Sequence, residues 1–129
     1  MNFNEIETAL TEIDLLIVEP IEQQSAEQMT CLASKLNAIQ SLSATLVAES
    51  LKVLRADELN VLSENEHLYS KPSILSKIVS ASTGDTQALH EKCRRYNSAV
   101  TTKIEYLRTA LSLYKTEFAL THRDFGGNL

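Results

Sequence analysis

Residues 85–118 read DTQALHEKCRRYNSAVTTKIEYLRTALSLYKTEF, and apolar or near-apolar side chains recur there at Leu89, Cys93, Tyr96, Val100, Ile104, Leu107, Leu111, Tyr114 and Phe118. Each step is three or four residues. At about 100° per residue these positions fall within a stripe roughly 80° wide on an α-helix, which is the width of a packing seam. A second, weaker face made of Ala99, Tyr106, Ala110, Leu113 and Leu120 lies about 100° or more from the seam. A helix that is apolar on two sides has to meet two neighbours.

Outward from this helix, composition sets the class. The chain has 129 residues, 43% hydrophobic and 5% aromatic, with three Gly, two Pro and no Trp. So few turn residues imply few, long elements, and the Ala, Leu, Ser, Glu, Thr and Lys content suits helices over sheets. The fold expected is all-α. The length is that of a single domain, read as residues 1–120 with a frayed tail over 121–129, where the periodicity fades.

Asn4 is a candidate cap for a first helix over about 4–18, with Ile6, Ala9, Leu10, Ile13, Leu16 and Ile17 on one face. Pro20 ends it and suits the first position of the next helix. From there the series Met29, Leu32, Leu36, Ile39, Leu42, Leu46, Val53 and Leu54 predicts a long helix over about 20–56. Residues 57–70 are left open: the helix continues, or it bends near Asp57, and Ser63-Glu64-Asn65-Glu66 fits a capping box. Pro72 opens a short helix over about 72–82. Gly84 is placed in a left-handed turn, and Asp85 caps the helix over about 85–120. The two long helices, each about 50 Å, form an antiparallel hairpin that places residue 56 opposite 86 and Cys31 near Leu111.

No long apolar run or charged leader occurs, so neither a membrane span nor a signal peptide is expected. Cys31 and Cys93 have no CxxC spacing, which favours a reducing, cytoplasmic setting. Charge is uneven. Residues 1–34 carry seven acidic and no basic side chains, whereas 71–123 carry nine basic and four acidic ones. The first helix is therefore expected to be drawn to the C-terminal half, in the same chain or in another copy.

His90 and Cys93 stand at i, i+3, the one ligand-like pair, but a structural metal site needs four ligands and Cys31 is about 27 Å away along the hairpin. No metal site or cofactor is expected. Catalytic motifs such as GxSxG, the P-loop, GxGxxG and HExxH are absent, and loops to carry a triad are scarce, so neither an enzyme nor a small-molecule substrate is expected. Lys92-x-Arg94-Arg95 with Lys103, Arg108 and Lys115 is the case for nucleic acid. Against it stand the acidic net charge of −5 and pairing of Glu91 with Arg95 and of Glu105 with Arg108.

The block from Tyr69 to Glu117 resembles a family of small helical proteins of bacteriophages and mobile elements. Tyr69-Ser70, Ser73-Ile74-Leu75, Lys77, Arg95-Tyr96-Asn97-Ser98, Thr102, Leu107-Arg108-Thr109, Ser112, Lys115 and Glu117 carry the likeness. Where that family has a Thr-His-Gln type triplet this chain has Thr102-Lys103-Ile104. The resemblance implies a connector and long helix acting as a unit, and it transfers no activity. The polar residues Asn97, Thr102, Arg108 and Ser112 are read as bonding the connector or capping neighbouring helix ends.

The functional expectation is a non-enzymatic helical interaction or scaffold protein, homo-oligomeric or bound to a protein partner. Its candidate partner surface is Arg94, Arg95, Lys103, Tyr106, Arg108 and Leu113. The alternative is a nucleic-acid-associated accessory protein using the basic C-terminal half.

Overall fold

In the computed structural model, residues 1–21 and 24–127 are described, with side chains as far as Thr121. The first helix, α1 (Phe3–Ile17), is capped two residues earlier than expected. Asn2 has extended backbone angles and its side chain accepts from the Glu5 N–H at 2.9 Å, so it takes the capping role that the sequence assigns to Asn4. The second helix, α2 (Ala26–Glu64), does not begin at Pro20. Ser25 forms a complete capping box with Gln28, 3.2 Å from the Gln28 N–H to Ser25 Oγ and 2.9 Å from the Ser25 N–H to Gln28 Oε1. Two orphan donors satisfied at once outweigh the favourable backbone angle that proline offers at position 20.

With no Gly or Pro to stop it, α2 runs straight past Asp57, which settles the open stretch in favour of continuation. The capping box read at Ser63 does not form, because Asn65 ends the helix there: its Nδ2 donates to the Val61 carbonyl at 2.7 Å. A single 3-10 turn at Glu66–Leu68 leads to α3 (Pro72–Ser82), which has Pro at its first position as expected. The last helix, α4 (Gly84–Gly127), has 44 residues and extends through 121–127, the region the sequence reading gives to a tail.

Gly84 is not left-handed, and Asp85 lies inside α4 rather than capping it. Thr83 alone separates α3 from α4. Its hydroxyl donates to the Val79 carbonyl at 2.8 Å, and its own carbonyl accepts from the Gln87 N–H at 2.9 Å. The chain thus passes from one helix into the next through a single bent residue whose polar groups are all used, and no left-handed residue is required.

Helices α2 and α4 form the antiparallel hairpin. Cross-helix pairs occur at Ser43–Asn97, Ser50–His90 and Asp57–Thr86, so the expected register, 56 opposite 86, is met within two residues. Cys31 and Leu111 line the same groove, also as the register requires. The groove between the long helices is filled by α1, which runs parallel to α4: the Met1 ammonium reaches Glu49 at 3.1 Å and the other end of α1 meets Lys103. Ile6, Leu10 and Ile13 of α1 close the core against Leu32, Leu36 and Leu46 of α2 and Leu89, Cys93, Val100, Ile104 and Leu107 of α4. Each fully buried aliphatic side chain contributes about 1.5–3 kcal/mol of transfer free energy, so this core is what holds three otherwise separate rods together. No strand occurs among the described residues.

Candidate interaction surface

The hairpin interior is not uniformly apolar. Ser43 and Ser50, seven residues apart on α2, are each buried, and each lies near its own i−3 carbonyl, Gln40 at 2.8 Å and Val47 at 3.0 Å. Each also meets α4: Ser43 Oγ lies 2.8 Å from the Asn97 amide, and Ser50 Oγ lies 3.0 Å from His90 Nδ1. One hydroxyl carries one proton. At Ser50, with that proton on the Val47 carbonyl, the hydroxyl oxygen accepts from α4, which assigns N–H to His90 Nδ1; Ser43 instead faces Asn97 Oδ1 and donates to it. A third polar layer follows at the hairpin end, where Thr86 Oγ1 is 2.8 Å from Asp57 Oδ2. A slip of either helix would leave these groups buried without partners, so the layers fix the register.

Ser50→Ala is therefore expected to cost about 1 kcal/mol, by leaving half-buried His90 Nδ1 unpaired. Urea unfolding of Ser50→Ala, His90→Leu and the double variant checks this, with the double variant recovering most of the loss.

These layers are structural in character. Cys93 is 1% exposed, and burial pushes its thiol up against the smaller downward pulls of the Ser50 hydroxyl and the Lys92 charge, the reverse of an activated nucleophile. Among the described residues no three His, Cys, Asp or Glu side chains converge on a point a metal ion could occupy. Asn97 bonds α2, not the connector.

Lys103, expected on the partner surface, is withdrawn from it. It is buried at 9% exposure, and its Nζ donates to the carbonyls of Leu16, Ile17 and Glu19 at 2.8, 2.6 and 2.5 Å. The carbonyls of Leu16 and Ile17 are orphan acceptors of the last turn of α1 and that of Glu19 lies just past it, where the helix dipole also favours a cation. The sequence showed the charge asymmetry that attracts α1 to the C-terminal half. It did not show that backbone carbonyls, rather than the α1 carboxylates, receive the lysine. Among the described residues no α1 carboxylate lies within 4 Å of an α4 cation. Asp14 does face Tyr96, whose hydroxyl is pushed up first by burial and then by that carboxylate.

The other candidates stay on the outside. Arg94, Arg95 and Arg108 are exposed, while Tyr106 and Leu113 are 55% and 61% exposed. Glu91 pairs with Arg94 at 3.6 Å rather than with Arg95, and no bridge joins Glu105 to Arg108 among the described residues. At about 100° per residue, Arg94, Arg108 and Lys115 are spaced by multiples of seven and fall within about 60° on one side of α4, with Arg95 about 100° round from Arg94.

Residues the seam counted as core also emerge at this end: Tyr114 and Phe118 are 48% and 55% exposed, as is Leu120 at 53%. The cause is the late start of α2. Ala26 lies level with Tyr114 and Lys115 across a groove of about 580 Å³, so beyond that level α2 offers α4 no further turn. The Ser25-x-x-Gln28 pattern was the signal that could have revealed this. A second groove of about 610 Å³ opens on the other side of α4, between Ile17, Pro20 and Ile21 and the helix positions Ala99, Thr102 and Tyr106. No helix among the described residues is long and apolar enough to cross a membrane. No family model, curated protein or solved structure matches the chain.

Proposed function

We propose that this chain is a non-enzymatic helical interaction protein of the cytoplasm, working by presenting the outer face of α4 to a protein partner. The observation that supports it is the row of half-exposed large apolar side chains on that face, Tyr106, Leu113 and Leu120, beside the groove at Ala99, with Tyr114 and Phe118 of the seam also exposed beyond the start of α2. An exposed apolar row of this kind is the ordinary signature of a surface that is covered in use. Free Cys31 and Cys93 suit a reducing compartment.

The test compares the wild-type chain with Leu113→Glu by light scattering after gentle purification. The wild type is expected to run above monomer mass, alone or with a stoichiometric protein, and Leu113→Glu to run as a bare monomer with unchanged thermal unfolding. A wild type that is monomeric and binds no protein overturns the proposal. A short labelled DNA or RNA duplex should give no gel shift at low salt, and a shift that weakens with added salt would replace this reading with nucleic-acid binding.

A further inference from the structure

We infer that the occupant of this surface is a second copy of the chain, docked antiparallel along α4 about a two-fold axis at Tyr106; the inference rests on the reading of α4 as an interaction face. The spacing comes first. Ala99, Tyr106, Leu113 and Leu120 recur every seven residues on a side of α4 that the core cluster does not include. A seven-residue period on an exposed helix is the pattern of a helix-to-helix seam, and the intramolecular hairpin does not use it.

Charge selects the orientation. The same face carries Arg95 toward its beginning and Glu117 toward its end, both exposed, and among the described residues neither has an ion-pair partner within the chain. A parallel pair in register would set Arg95 against Arg95 and Glu117 against Glu117. An antiparallel pair centred on Tyr106 sets each Arg95 against the Glu117 of the other copy, twice by symmetry.

Shape agrees with charge. The same centring places each Leu113 opposite Ala99 of the other copy. There the small alanine forms the floor of the groove of about 610 Å³ walled by Ile17, Pro20 and Tyr106. A large side chain meets a small one beside an apolar recess, and the two Tyr106 rings meet at the axis. The acidic α1 and the basic α4 thus have separate roles: α1 is held within its own chain through Lys103, and the remaining charge asymmetry of α4 is satisfied between chains.

Two experiments test this. In light scattering, Arg95→Glu and Glu117→Arg are each expected to weaken self-association on the order of tenfold, since each removes two exposed bridges and adds like-charge contacts. The double variant should return to within about threefold of wild type. In a Cys31→Ser background, Tyr106→Cys is expected to form an intermolecular disulfide under mild oxidation. Leu113→Cys should cross-link only when Ala99→Cys is also present, because a disulfide needs Cα atoms within about 7 Å. Self-linking through Leu113→Cys alone, a double charge variant no better than the singles, or a wild type that stays monomeric overturns the antiparallel dimer. A monomer that nonetheless loses a different bound protein on Leu113→Glu would end this inference and leave the interaction reading standing.

Discussion

Leu107→Ala is expected to lower the unfolding free energy by about 3–4 kcal/mol, visible as a shift of the urea midpoint at unchanged slope. Leu107 is 0% exposed and sits in α4 within the cluster that also contains the core residues of α1 and α2. Removing three carbon atoms there forfeits their transfer free energy. It also opens a void that three rigid helices close only in part, and that void accounts for the upper half of the cost. Six residues further along the same helix Leu113 is 61% exposed, and Leu113→Ala should change the stability of the isolated chain by less than about 0.5 kcal/mol. Comparable losses at the two positions would mean that α4 is rotated relative to the packing described.

Lys103→Met should cost about 2 kcal/mol and speed amide exchange in α1 more than in α2. Methionine retains most of the aliphatic stem but no donor, so the carbonyls of Leu16, Ile17 and Glu19 lose their shared partner and the C-terminal end of α1 is no longer pinned. The pH dependence has a definite sign. Burial pushes the Lys103 ammonium below the usual lysine value of 10.5, with the Glu19 charge pulling back less strongly. Between that lowered value and 10.5 the unfolded chain holds more protons at this site than the folded one, so stability contributed through Lys103 rises with pH in that window. The margin of wild type over Lys103→Met is therefore expected to widen as pH climbs from neutral toward 10.5, measured by urea unfolding at each pH. A margin that shrinks would mean that the dipole and Glu19 outweigh desolvation at this site.

Much of the architecture was legible because it depends on local and periodic properties. The three-and-four spacing from Leu89 to Leu107 defined the buried face of α4, Pro72 set the start of α3, and the absence of Gly and Pro between 21 and 71 allowed a long α2. The misplacements share one physical origin. At Asn2, Ser25 and Thr83, side-chain hydrogen bonds to nearby backbone groups decide helix ends that the sequence pattern places at Asn4, Pro20 and Gly84. Several residues near each boundary are competent to cap, and the winner depends on how the chain enters the bundle.

The candidate surface was legible in part for a different reason. Tyr106 and Leu113 were found because a second apolar face shows in the spacing alone. Lys103 lies on the same helix only about 20° outside the seam stripe, so its spacing places it at the edge of the core without showing what it meets. Its burial follows from the position of the α1 C-terminus, which no spacing within α4 encodes.

By itself, then, the sequence determined an all-α chain, the hairpin of two long helices, its register to within two residues and the seam that α4 turns inward, since each follows from periodicity and chain length. Only the tertiary structure decided where that seam stops being covered, which lysine closes the end of α1, and which serines meet Asn97 and His90. Those outcomes depend on where one helix ends beside another, and relative position along a bundle is set by packing and by the satisfaction of buried polar groups, not by the period of any single helix.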